Sequence, residues 1–152
     1  MVKKLLAFVT LAVLFAGCST GPKAEITSTK YVKNINAGGV FYNFEGQDNI
    51  EIKLDFRFDE NLAAGLDTKE EDFRKEIYDI LVEGAHFYYE DQEVERVYGY
   101  WPEEAGSNYV KEMTLFYVVP SDHAADSMRF VYDGSVLGEG GTGIDTVIKP
   151  DR

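Results

Sequence analysis

Residues 50–58 read Ile-Glu-Ile-Lys-Leu-Asp-Phe-Arg-Phe. Ile50, Ile52, Leu54, Phe56 and Phe58 fall on one side of an extended chain, and Glu51, Lys53, Asp55 and Arg57 on the other. A helix would spread these apolar residues around its circumference. Strict alternation instead builds a strand with one face buried and one face wet. The chain must therefore supply a sheet and a second layer to cover it. Ten tyrosines, ten phenylalanines and one tryptophan agree with this, because aromatic side chains fit pleated, half-buried surfaces.

The remaining segments give about eight short strands. Tyr31–Ile35 and Val40–Phe44 flank a turn at Asn36-Ala37-Gly38-Gly39, and a second turn is expected at Gln47–Asn49. His86–Tyr89 and Val94–Trp101 read as a hairpin around Glu90–Glu93. Pro102–Asn108 reads as a loop. Tyr109–Val119 places Met113, Leu115, Tyr117 and Val119 on one face and Val110, Phe116 and Val118 on the other, the pattern of a central strand that Pro120 ends. Met128–Tyr132 is a further strand, Gly134–Gly143 a loop and Asp145–Ile148 a last strand. Between them the period changes. Phe73, Ile77, Ile80 and Leu81 recur on one helical stripe, Thr68-Lys69-Glu70-Glu71 fits a capping box, and Gly84 is placed to stop the helix. The expected fold is mainly β: an antiparallel sandwich of about seven to eight strands with one inserted amphipathic helix at about 68–83, lying across a sheet.

The first eighteen residues have a separate logic. Lys3 and Lys4 precede an apolar run from Leu5 to Ala16, broken only by Thr10. Twelve residues are too few to cross a bilayer of about 30 Å as a helix, but suit a signal-peptide core. The run ends Leu14-Phe15-Ala16-Gly17-Cys18. This resembles the lipobox of bacterial lipoproteins, with Phe15 where that family usually has leucine. The resemblance implies cleavage between Gly17 and Cys18 and diacylglycerol on the Cys18 sulfur, and so a lipid-anchored protein on the extracytoplasmic face of the cell membrane. Ser19 is compatible with outer-membrane sorting in a Gram-negative host. Cys18 is the only cysteine, so its acylation would leave none for a disulfide, a thiol nucleophile or a thiolate metal site. The expected organisation is a cleaved signal at 1–17, a lipidated cysteine and tether at 18–30, and a domain at 31–150.

Residues 1–17 hold two lysines and no acid, which leaves 13 bases against 27 acids, a net −14. Residues 59–104 carry most of it, with 15 acids and four bases. A nucleic-acid partner is not expected, since phosphate recognition needs a basic face. Adhesion of the folded domain to anionic lipid is not expected either. The acidic region reads as a solvated surface, or as a docking face for a basic partner or divalent cations.

Chemistry is sparse. The histidines are His86 and His123. Asp122, His123 and Asp126 are a local group of metal-ligand type, but a polar surface loop is the better account of them; Asp59, Asn61 and the acids at 90, 91 and 93 raise the question of calcium but match no EF-hand spacing. There is no His-Glu-x-x-His spacing, no Gly-x-Ser-x-Gly elbow, and no lysine among the glycines at 138–143 to make a phosphate loop. No catalytic residue, metal ligand or cofactor is assigned apart from the covalent lipid. The binding candidates are aromatic. Tyr98 and Tyr100 share a face, Trp101 follows, and Tyr89 is expected across the hairpin from them; such rings stack on sugars or anchor a protein. The long strand Val110–Pro120, a short gap and Met128-Arg-Phe-Val-Tyr132 resemble the small immunoglobulin-like domains of secreted bacterial lipoproteins, a family largely of unknown function. The resemblance offers no catalytic residues; the anchor, the tether, the sandwich pattern and the lack of a catalytic constellation lead to the expectation of a non-enzymatic interaction module that meets an envelope protein, with a polysaccharide-binding module or small hydrolase using the aromatic hairpin as the alternative.

Overall fold

The computed structural model describes residues 21–64, 70–100 and 108–152. The signal segment, Gly17, Cys18, the Thr68 capping box, the Phe73 side chain, Trp101 and most of the Pro102–Asn108 loop lie outside the described residues.

The chain forms an antiparallel β-sandwich. Its elements are β1 (Lys23–Val32), β2 (Ile35–Ala37), β3 (Val40–Tyr42), β4 (Gln47–Arg57), α1 (Glu60–Ala64), α2 (Glu70–Glu83), β5 (Ala85–Tyr89), β6 (Gln92–Val94), β7 (Tyr98–Tyr100), β8 (Tyr109–Pro120), β9 (Met128–Tyr132) and β10 (Ile144–Val147), with a 3-10 turn at Gly134–Leu137. One sheet has the order β1-β4-β8-β7 and the facing sheet the order β10-β9-β5-β6, while β2 and β3 make a separate hairpin. The alternation in β4 does what it predicts: Ile50, Ile52, Leu54, Phe56 and Phe58 are all buried. Met113, Leu115 and Tyr117 of β8 join them, and Phe87, Met128, Phe130 and Tyr132 face them from the second sheet. Phe87 stacks on Tyr117 with centroids 4.5 Å apart, and Phe56 meets Tyr132 at 5.0 Å.

The structure corrects four expectations. Residues 23–30 are not tether but most of β1, paired with β4 from Lys23↔Arg57 to Val32↔Asn49. Gln47–Asn49 is not a turn but the start of β4, opposite Val118–Pro120. Asn49 is buried there and its amide donates to the Val32 and Lys33 carbonyls, holding the exit of β1. Val110 lies on the core face with Met113, not opposite it. A bulge shifts the β4–β8 register between Leu54 and Phe56: Glu112 adopts φ 55° and donates its N–H to Asp55 Oδ1 at 2.8 Å. The extra residue turns Val110 inward. Finally, Val94–Trp101 is not one strand. The β5–β6 turn closes over Glu90 and Asp91, both at positive φ, and β6 ends at Val94. The chain then crosses to the other sheet, where Tyr98 pairs with Phe116 and Tyr100 with Thr114.

Helix α2 buries Ile77 and Leu81 in the core; Ile80 is only partly covered. Its end is fixed by Tyr132, whose hydroxyl donates to the Leu81 carbonyl at 2.6 Å, one of the acceptors a helix terminus leaves unpaired. Gly84 is required here for space rather than for backbone freedom, because a Cβ on it would lie 2.7 Å from Tyr132 Cζ. The edge strand β1 is covered by backbone from both later loops: Thr142 O accepts from Ala24 N, and Asp151 O accepts from Tyr31 N. Covering an edge in this way removes a template for aggregation.

Gly84→Ala is expected to destabilise the fold by about 1–3 kcal/mol through overpacking against Tyr132. Gly21→Ala, with open space around it, is expected to be neutral within about 0.5 kcal/mol; chemical denaturation of both variants checks this. A second expectation concerns acid. Arg129 forms a two-point hydrogen bond with Asp145 and holds its carboxyl below the usual range. The Ser135 hydroxyl and N–H do the same for Asp133. Depressed carboxyls stabilise the fold above their ordinary value near 3.8, and this is lost as pH falls through the lower folded values. The Tm should therefore drop below about pH 4, and less steeply in Asp133→Asn, in a calorimetric pH series.

Candidate binding surface

Of the aromatic residues expected to form one site, the structure unites two and separates a third. Tyr98 and Tyr100 project from the outer face of β7 with ring centroids 6.1 Å apart, and Tyr100 lies 6.1 Å from Phe116. Tyr89 is on the facing sheet, opposite Gln92 and Met128, because the chain changes sheets after Val94. It is not a neighbour of Tyr98 and Tyr100 across a hairpin.

Alternation along β8 explains the platform. Met113, Leu115 and Tyr117 point into the core, so Thr114 and Phe116 point outward, yet both are buried. Their cover is β7 on one side and the β2–β3 hairpin above. Ile35 of β2 is fully buried although it lies outside the core between the sheets, and β2 rests against β7. A small second apolar layer thus covers the outer face of the first sheet.

The hairpin that forms this layer carries its own unburied apolar side chains. Phe41 is 67% exposed and Val40 53%, with Tyr42 and Phe44 also exposed and Tyr100 exposed on the neighbouring strand. Gly38 and Gly39 take positive φ in the two-residue turn, and the Gly39 N–H donates to Asn36 Oδ1 at 3.0 Å. A tight turn between paired short strands holds these side chains outward. Inspection of the strands for chemistry overlooks Val40–Phe44. Its one legible signal is an apolar residue at four of five positions in a strand flanked by glycines.

The other singled-out residues have local partners. His123 is nearly buried, with its Nε2 3.1 Å from Tyr31 Oη and 3.4 Å from Asp48 Oδ2. Tyr31 stacks on its ring, and the Arg152 guanidinium lies over the tyrosine ring, 4.6 Å from its centroid. Asp126 faces Lys149 at 3.6 Å instead of joining His123. His86 Nδ1 meets Glu93 Oε1 at 2.5 Å. Among the described residues no three His, Cys, Asp or Glu side chains converge to hold a metal, and no helix is long and apolar enough to cross a membrane. The chemistry offered by the outer face is therefore apolar contact with hydrogen bonding from tyrosine hydroxyls. Comparison with protein-family models, with curated proteins and with solved structures found no match.

If Ile35 fastens the hairpin, Ile35→Ala should cost about 2–5 kcal/mol and expose residues 36–46 to limited proteolysis. Phe41→Ser should leave stability within about 0.5 kcal/mol, as read by thermal melting and the same digestion.

Proposed function

We propose that this chain is a lipid-anchored, extracytoplasmic binding module that meets an envelope protein through the outer face of its β1-β4-β8-β7 sheet. The observation that carries the reading is the exposed apolar group on the β2–β3 hairpin beside Tyr100. Contiguous exposed apolar surface on a folded domain marks interaction sites, whereas single exposed residues do not. Aromatic anchors of this kind contribute most of the energy at protein interfaces. The acidic balance of the chain favours a partner with basic residues around that contact, and steers association with it.

The anchor belongs to the same proposal. The lipobox-like segment assigns diacylglycerol to Cys18, and two acyl chains give the lasting attachment that a single chain does not. Because β1 begins at Lys23, four residues separate the anchor from the fold, and the five steps from Cys18 to Lys23 reach at most about 17 Å. The domain would work close to the bilayer, on a partner at or near the membrane. The immunoglobulin-like assignment also rests here, supported by two packed four-stranded antiparallel sheets. The polysaccharide reading draws on Tyr98 and Tyr100, whose rings are tilted at 43° to each other and which precede Trp101 in the sequence.

The test is a crosslinking pull-down from intact cells with the lipidated chain as bait. An envelope protein captured by the wild type, and lost with both Cys18→Ala and Phe41→Asp, is the expected result. Capture that persists in Phe41→Asp would reject the surface; Cys18→Ala protein that still sediments with membranes would reject the anchor. Recovery of glycan alone would favour the polysaccharide reading.

A further inference from the structure

The strand edges of this protein are guarded, with one exception. Backbone from Thr142 and Asp151 covers the edge of β1. β10 and β6 end the second sheet and carry Asp145 and Glu93, and β2 rests against β7. Charge and cover of this kind keep a row of free N–H and C=O groups from recruiting another strand. β3 has neither. Among the described residues its only strand neighbour is β2, and no bulge interrupts that pairing. Residues 34–44 are the longest uncharged run after Lys23, and they contain no proline.

The register shows which backbone groups are free. Gly38 and Gly39, both at positive φ, make a two-residue hairpin turn. Such a turn closes on a hydrogen-bonded pair, here Ala37 with Val40. Bonded and non-bonded pairs then alternate along an antiparallel ladder. Asn36 and Phe41 are therefore a non-bonded pair, and Ile35 and Tyr42 the next bonded one. The Phe41 N–H and C=O point away from β2 along the open edge, and neither has a backbone partner among the described residues.

The side chains agree. Val40 and Tyr42 lie on one face of β3 and Phe41 on the other, yet all three are exposed. A strand laid along β3 would satisfy both Phe41 backbone groups and meet apolar side chains on both faces. It would also make three strands of a two-stranded sheet, and two strands alone are marginal.

Charge narrows the occupant. A second copy of the chain would bring together two molecules that each carry 27 acids against 13 bases in residues 18–152, and such self-repulsion favours the monomer. A different protein escapes that cost. Its segment must be uncharged where it lies along β3, because no acid in residues 34–44 can receive a base. Basic residues belong beyond the ends of that segment. Alternate side chains reach the two faces, so β-branched or aromatic residues suit it.

We propose that the envelope partner adds an extended, uncharged strand to the open edge of β3, hydrogen-bonded to the Phe41 N–H and C=O. The pairing rests on the reading of the hairpin as the partner's site and defines how the partner's chain is held there.

The test uses the full chain in intact cells, with a photoreactive phenylalanine analogue at Tyr100 to capture the partner. Phe41→Pro and Phe41→Val have side chains of similar size, but only proline lacks the N–H. Proline is tolerated where a strand N–H faces outward, so residues 36–46 should resist limited proteolysis equally in both variants. Capture should fall at least about tenfold further in Phe41→Pro than in Phe41→Val. In the purified wild-type adduct, hydrogen exchange at the Phe41 amide should be at least about tenfold slower than in the free chain. Equal capture by the two variants, or an unchanged exchange rate, would overturn strand addition and leave the envelope-protein contact standing. Absence of any adduct in the wild type would overturn both. An adduct with a second copy of the chain, at twice its mass, would overturn the choice of occupant.

Discussion

The β4–β8 pairing is the constraint on which the rest of this protein depends. It runs from Gln47↔Pro120 to Arg57↔Tyr109 and occupies the centre of its sheet. The inner faces of these two strands supply much of the core, and the outer face of β8 supplies the platform that the hairpin and β7 cover. Neighbours on both sides are required because Met113, Leu115 and Tyr117 point one way while Thr114 and Phe116 point the other, and all five are buried. A strand that is apolar or buried on both faces has to be roofed twice. The second roof here is small, a three-residue pair of strands fastened by Ile35, and its outer surface is left with phenylalanine, tyrosine and valine facing water.

The aromatic residues divide accordingly. Phe56, Phe58, Phe87, Phe130, Tyr117 and Tyr132 fill the space between the sheets, where each contributes about 1.5–3 kcal/mol or more by leaving water. Phe41, Tyr42, Phe44 and Tyr100 recover only part of that in the isolated domain. The same transfer energy is available to a partner that covers them. Polar groups divide in a comparable way. The Tyr132 hydroxyl is committed to the end of α2, while the Tyr117 hydroxyl, equally deep, has no partner among the described residues.

How much of this was legible in the sequence varied with how local its cause is. The β4 face, the β9 strand and the sandwich class follow from period-two patterns, and α2 from its apolar stripe. The segment 23–30 reads as polar linker because Lys-Ala-Glu-Ile-Thr-Ser alternates weakly, and because the groups that cover its edge come from residues 142 and 151, far along the chain. The bulge that turns Val110 inward needs a glutamate at positive φ, a choice the residue type argues against. No glycine or proline marks the departure from β6, so Val94–Trp101 looks continuous, and Tyr89 is wrongly placed beside Tyr98 as a result. Pairing Tyr98 with Tyr100 needed only alternation. The exposure of Val40–Phe44 depended on how β2 sits against β7, which no local pattern encodes.

The most direct test of the binding account is site-specific photocrosslinking in intact cells, with a photoreactive phenylalanine analogue placed in turn at Phe41, Tyr100 and Tyr89. The account predicts a covalent adduct with the same envelope protein from Phe41 and Tyr100 and none from Tyr89, which lies on the facing sheet. Adducts from Tyr89 alone, or no adduct from either outer-face position, would contradict it.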